Sequence, residues 1–347
     1  MEWSRGFEGS AVVVGLDNGG TCNNATVLDV DGHFLIDKLV ETPSCVNYGP
    51  DATIESLAAS FADILDLAST PRSAVRAIGL DTPGPASATG VISSKGATNF
   101  SQPAWRGFDI RGAVEERLGL PVIYNNDGNA AALYAHHAFF GAAAATNSSV
   151  SAIVGTGLGG GVIENGNAVR GAAGMAGELG HVHIPMDGLL AEGQPVPRCN
   201  CGLAADAESV ASLTGIENNL LPYWLSRYPG HELEGVAPHT AAKRVRGLAE
   251  HGDPMALEIF EQQAMAIGRL FTIASNFTDP SGYFVGGGVV EATPQFRDWF
   301  LSRVRAHTHL RDEQVDGVSF ALVPDLDMAG ARGSAIAALA TINTADA

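Results

Sequence analysis

Apolar residues fall into two alternating periods along this chain. Residues 11–17 (AVVVGLD) form a short apolar run that ends in a turn signal, the pattern of a buried strand. Ala25–Val30 and Phe34–Glu41 read as two further strands, with Asp31-Gly32 as the hairpin turn between them. From 52 to 68 the period changes: Ile54, Leu57, Phe61, Ile64, Leu65 and Ala68 recur at helical spacing. A strand at 75–80 follows, then the turn Asp81–Pro85, a helix Ile110–Leu118, a strand Val122–Tyr124 and an alanine-rich helix over 128–145. The opening pattern then recurs as a strand Ser149–Val154, a glycine turn and a returning strand Gly161–Glu164. The chain beyond 208 reads as mostly helical through Phe277, with a strand at 283–285 and a last helix from Ala329. Strand, glycine turn and strand thus occur twice, which predicts two related α/β halves.

The recurring turns carry candidate chemistry. Leu16-Asp17-Asn18-Gly19-Gly20-Thr21 closes the first strand. Glycine there lets backbone N–H groups approach phosphate oxygens. Asp17 could orient a hydrated Mg²⁺ and Thr21 could donate a hydroxyl, but an ordinary hairpin turn fits the same residues. Gly155–Gly161 holds five glycines in seven residues, without the G-K-[ST] of a Walker loop and without a following helix. Together the two turns could grip a polyphosphate from both sides. A third cluster, Gly286–Gly288, follows a strand and offers flat backbone to an adenine ring. Asn126-Asp127 stands at a strand end where a helix begins. Asp127 could accept a substrate proton, although local sequence favours a helix cap.

Between Gly177 and Glu208 one segment gathers five carboxylates, Glu178 and Glu208 at its ends, with two histidines and a C-x-C. His181, Cys199 and Cys201 are suitable zinc ligands, and the fourth is not evident from spacing. His183 reads as a partly buried strand histidine rather than a ligand.

Composition narrows the function class. The net charge of −18 opposes a nucleic-acid partner, because phosphate neutralisation needs Lys and Arg. No apolar run reaches the ~18 residues of a membrane span. The first ten residues lack the apolar core of a signal peptide, and four cysteines suit a reducing cytoplasm.

These motifs, taken in order, resemble the ROK family within the actin/hexokinase/heat-shock ATPase superfamily. The resemblance runs from about residue 11 to 340. It rests on Asp17-x-Gly-Gly-Thr21, Asn126-Asp127-Gly-Asn-Ala-Ala-Ala132, Gly155-Thr-Gly-Leu-Gly-Gly-Gly161, Gly177-Glu-x-Gly-His181, the C-x-C-G loop, Gly252-Asp-Pro254, Asp279-Pro280 with Gly286–Gly288, and Ala329-Gly-x-x-Gly-Ser-Ala335. It implies a two-lobed α/β, ribonuclease H-like fold with an interlobe cleft. The lobes would be 1–125, completed by the helix 329–347, and 126–328. The implied activity is phosphorylation of a hexose by ATP and Mg²⁺, usually at the 6-hydroxyl, with Asp127 as base. Gly84, Asn99, Asn126, Glu178, His181 and Glu208 would meet the sugar. Asp17, Gly19, Gly20, Thr21, Gly155, Thr156, Gly157, Gly159, Gly287 and Gly288 would meet the nucleotide. His181 would bind a structural Zn²⁺ through one nitrogen and the sugar through the other. A cytoplasmic homodimer is the implied setting.

Three departures stand out. Asp206 replaces the family's third cysteine, so the zinc set becomes His181, Cys199, Cys201 and Asp206. The His181–Cys199 connection is longer than usual and is expected to line the sugar pocket. Asn18 and Cys22 replace the commoner residues of the first phosphate motif. The competing class is a sugar-responsive repressor, whose added DNA-binding segment should precede the first motif; only sixteen residues precede Asp17. A sugar-binding protein without kinase activity is a third reading. Glucose or mannose is the default sugar, with fructose, allose or an N-acetylated amino sugar as alternatives, and polyphosphate is an alternative donor.

Overall fold

The structure is a computed structural model, and it describes residues 10–94 and 100–345. Two compact units form. The first gathers the described parts of Met1–Thr146, Gly161–Gly177 and Asp325–Ala347; the second comprises Asn147–Gly160 and Glu178–Pro324. The sequence reading divides the chain near 125. By packing, the helix Asp127–Phe140 belongs with the first unit, against the C-terminal helix Leu326–Ala345.

The first sheet has the order β3-β2-β1-β4-β5, built from β1 Val12–Asn18, β2 Cys22–Asp29, β3 Glu41–Pro43, β4 Val75–Thr82 and β5 Val122–Asn126. β1 pairs antiparallel with β2 and parallel with β4. Val12, Val14 and Leu16 alternate onto a core shared with Leu57, Phe61 and Ile64 of the helix Pro50–Leu67. Burying each such side chain contributes about 1.5–3 kcal/mol. The C-terminal helix lies hard against the backbone of this sheet. A Cβ at Gly15 would run into Ala331 O, and one at Gly79 into Ser334 O, so only glycine permits the approach.

The expected strand Phe34–Glu41 does not form. Phe34 makes only an isolated bridge to Leu28, and the pairing strand is the short β3. Phe34, Leu35 and Ile36 are buried consecutively, so they do not alternate faces as a one-sided strand must. The Asp29 carboxylate also accepts the N–H groups of Asp31 and His33, which closes a side-chain turn there.

The second unit is built on β6 Ser149–Val154, the start of β7 Leu158–Glu164 (whose end, in the first unit, pairs with the short β8 Asn167–Ala168), β9 Gly282–Gly287 and β10 Ser319–Leu322, with β9 parallel to both β6 and β10. The returning strand begins at Leu158 rather than Gly161, so the turn proper is only Gly155–Gly157. The long helix Pro254–Thr278 covers this sheet, and Phe271, Tyr283 and Phe320 cluster beneath it. β10 and the helix Pro294–Ala306 were not among the elements read from sequence.

Candidate active site

In the first unit, Asp17 stands opposite Asp81 in the register of β1 and β4. Asn24 Nδ2 donates to Asp17 Oδ2 at 3.1 Å, and Ser334 Oγ donates to Asp81 Oδ2 at 2.7 Å. Burial raises the pKa of both carboxyls; for Asp81 the adjacent Asp17 charge adds to the effect. Sequence reading missed Asp81, which looked like part of the turn before the cis Gly84-Pro85 bond. The turn after β1 is held by Gly19 N–H to Cys22 O at 2.9 Å, and Thr21 is exposed. Asn18 is fully buried and donates to Asn23 Oδ1, so this departure shapes the hairpin and does not face solvent. Cys22 opens β2, opposite Pro43.

Asn126, not Asp127, caps the helix Asp127–Phe140: its side chain accepts Asn129 N–H at 2.8 Å. That overturns the local expectation of an Asp cap. Asp127 is instead the first helical residue, exposed, with its own Gly128 N–H on Oδ1 at 2.8 Å. A helix N-terminus stabilises negative charge. Gly84 is half-buried in the turn after β4. Asn99 lies outside the described residues.

In the second unit, Gly155 and Thr156 are exposed in their turn. Their carbonyls accept Leu213 and Thr214 N–H at 3.0 and 3.1 Å, and Gly155 N–H closes the turn on Gly157 O at 2.9 Å. A Cβ at Gly157 would sit 2.6 Å from Glu208 Oε2, so a side chain there would displace that carboxylate. That oxygen accepts Leu158 N–H at 2.9 Å, while Oε1 accepts the Cys199 thiol at 3.1 Å. Both oxygens of an expected sugar ligand are therefore engaged. Gly159 is an exposed strand residue. Gly155, Thr156 and Gly288 border a cavity of about 420 Å³ whose apolar wall includes Leu213, Ile216 and Val289. Gly287 has φ +101 and packs on Val154, a position closed to a Cβ. Arg246 donates to Gly288 O and Glu291, and lines the same cavity.

His181, Cys199, Cys201 and Asp206 come together, with their ligand atoms all within 4.8 Å of one another. His181 Nδ1 lies 3.4 Å from Asp206 Oδ2, 3.7 Å from Cys201 Sγ and 4.0 Å from Cys199 Sγ. Zinc bonds of ~2.0–2.3 Å at tetrahedral angles separate donors by ~3.3–3.8 Å, so the donor set suits zinc once its wider pairs draw together by a few tenths of an ångström or more. Asp206 is fully buried; Oδ1 accepts Ser209 N–H at 2.9 Å and Oδ2 turns to the cluster. Burial, with the neighbouring Glu208 and Asp206 carboxylates, pushes the Cys199 thiol up, an effect that a bound cation reverses. His183 is exposed and bridges Asp206 through backbone, rather than lying partly buried in a strand. Glu178 is half-buried and precedes the short helical turn Leu179–His181.

The lengthened connection packs on the helices of its own unit. Gln262 Nε2 donates to Gln194 Oε1 at 2.6 Å and to Leu189 O at 2.9 Å, and Gln262 Oε1 accepts Trp224 Nε1 at 2.9 Å. These bonds give the segment, expected from the sequence to line the sugar pocket, a packing role in its own unit.

The actin/hexokinase-like fold, shared with solved ROK sugar kinases, marks the class as a phosphotransferase acting on a sugar. The chain belongs to the ROK family, whose profile matches residues 13–341, and it is a sugar kinase. It is 31% identical over 316 residues to a glucokinase of Halalkalibacterium halodurans, covering 88% of each chain. Among solved structures it is similar to a ROK hexokinase from Thermus thermophilus (30% identity, 96% of this chain and 99% of that one, TM-score 0.73). It is also similar to a ROK family glucokinase from Streptomyces griseus solved with glucose and AMPPNP (26% identity, 94% and 99% coverage, TM-score 0.66). Among the described residues, no helix is long and apolar enough to cross a membrane.

Proposed function

We propose that the protein transfers the γ-phosphoryl group of ATP to a hexose, glucose or mannose first, at the 6-hydroxyl. The observation that carries this reading is Asp127: an exposed carboxylate on the first turn of a helix, held by Gly128 N–H. The likeness to a glucokinase with glucose and AMPPNP supports the sugar and the donor.

Phosphoryl transfer relies on positioning and charge stabilisation more than on covalent chemistry. Asp127 takes the proton of the attacking hydroxyl as the oxygen bonds to the γ-phosphorus and the bond to ADP breaks. The Gly155–Gly157 turn, through the amides of Thr156 and Gly157, and the turn Gly19, Gly20 and Thr21 hold phosphate oxygens. The cavity beside Gly288 takes the adenine. Mg²⁺, when bound, offsets charge on the phosphates, and Asp17 is the residue suited to orient its water shell.

Asn126, Glu178, His181 and Glu208 hold the sugar hydroxyls, with Gly84 and Asn99 beside them. His181 turns Nδ1 to the metal set, so Nε2 is the nitrogen for the sugar, and ligation fixes that tautomer. Zinc, when bound, organises this loop. Once Cys199 is a thiolate it no longer donates to Glu208, and Oε1 is available to a sugar hydroxyl while Oε2 keeps Leu158 N–H. A homodimer in the cytoplasm is the setting this reading carries.

Asp127→Asn tests it. The variant should fold and bind sugar, yet lose at least ~10²-fold in turnover. Near-normal turnover would remove Asp127 from the mechanism.

A further inference from the structure

A cavity of about 550 Å³ in the first unit belongs to none of the groups above. It opens beside β5, the edge strand of the first sheet, and the C-terminal helix forms part of its wall through Ile336 and Ala337. Arg170 and Asn125 line it together. Arg170 Nη2 donates to Asn125 Oδ1 at 2.7 Å.

The polar groups of this cavity are out of balance. Among the described residues, no carboxylate lies within ion-pairing distance of Arg170, although the chain carries 38 acidic residues. Burial alone weakens the guanidinium's hold on its proton, since no neighbouring charge offsets it. A desolvated charge without a counter-ion is costly, and proteins pair such groups or use them. Asn125 is only 4% exposed, and its Nδ2 has no hydrogen-bond partner. Because Oδ1 is taken by Arg170, the amide cannot turn over to hide that donor. Arg111 also borders the cavity, but Glu115 at 2.8 Å and Asp109 at 3.8 Å share its charge. The remainder is one guanidinium that holds an amide oxygen but no carboxylate, and one buried amide donor without an acceptor.

We infer that this cavity binds a phosphate-type oxyanion, either free phosphate or the phosphate group of a phosphorylated sugar. A guanidinium presents two parallel N–H bonds to such a group, and a neighbouring amide N–H can reach a third oxygen. The phosphorylated-sugar source rests on the kinase reading; the anion site does not. Its residues belong to the first unit, whereas the Gly155–Gly157 turn belongs to the second. Neither the Gly19–Thr21 turn of the same unit nor the Gly155–Gly157 turn lines it.

The test is calorimetric titration of inorganic phosphate into the full, metal-loaded chain, first alone and then with saturating AMPPNP-Mg²⁺. The expected result is one phosphate site that survives the nucleotide. Arg170→Gln should raise its Kd at least tenfold and Arg170→Lys several-fold, because lysine keeps the charge but not the fork. Arg111→Gln, on the outer wall, should weaken binding only two- to threefold and guards against a fold defect in the Arg170 variants. Glucose 6-phosphate competing with inorganic phosphate for the site would identify the phosphorylated sugar as a source; failure to compete leaves free phosphate as the ligand. Phosphate binding that disappears with AMPPNP, or that is equal in wild type and Arg170→Gln, overturns the inference. Failure of AMPPNP to bind would count against the kinase reading and not against this one.

Discussion

Asp17 and Asp81 face each other across neighbouring parallel strands, and both carboxyls are raised by burial. An acid whose folded pKa exceeds its unfolded value binds more protons when folded. Its stabilising contribution is complete below the unfolded pKa near 3.8 and is lost as pH rises through the folded value. Asp81→Asn removes one of the two charges and keeps an acceptor for Ser334. The variant should melt a few degrees above wild type at pH 7, since ~1 kcal/mol moves Tm by ~2–4 °C in domains of this size. The gap should close as pH falls toward 4. Equal melting curves at both pH values would contradict the buried-charge account.

The zinc set leads to a prediction about metal retention. A chelator should strip metal from wild type, lower Tm and raise the KM for sugar, because His181 loses its fixed tautomer. Cys201→Ser should release metal faster under the same challenge. Asp206→Ala should do so too, with a further cost of ~1–3 kcal/mol, because Ser209 N–H loses its partner in a buried site. Metal content by elemental analysis, read beside the melting curve, decides it. Full metal retention in Asp206→Ala would exclude the aspartate as a ligand.

Gln262 ties the lengthened connection to the helix Pro254–Thr278 through Gln194, Leu189 and Trp224. Gln262→Leu leaves several buried groups without partners and should cost about 1–3 kcal/mol. If the connection serves packing, Tm should fall while the KM ratio between glucose and mannose is kept. A changed sugar ratio with unchanged Tm would return the segment to the sugar pocket.

What could be read from sequence follows from how local each signal is. The helix Ile110–Leu118 and the strand Ser149–Val154 match their expected bounds, because apolar period and flanking turns fix them within one short window. His181, Cys199 and Cys201 were legible as a group from their short window, whereas Asp206, which clusters with them, came only through the family resemblance. Asp81 was not legible, since its partner Asp17 reaches it only through the pairing of two strands distant in sequence. Arg332 is similar: 2% exposed, bonded to Tyr134 and stacked near Phe34, it depends on three separate segments. Phe34–Glu41 misled because a buried apolar run has no strand period of its own.

Sugar-dependent ADP release from ATP-Mg²⁺, measured across hexoses and N-acetylhexosamines with the metal-loaded protein, tests the central claim most directly. The account predicts a signal that depends on the sugar, is largest with glucose or mannose, and falls at least ~10²-fold in Asp127→Asn. A folded, metal-loaded protein that releases no ADP with any sugar, or whose Asp127→Asn variant turns over normally, would contradict it.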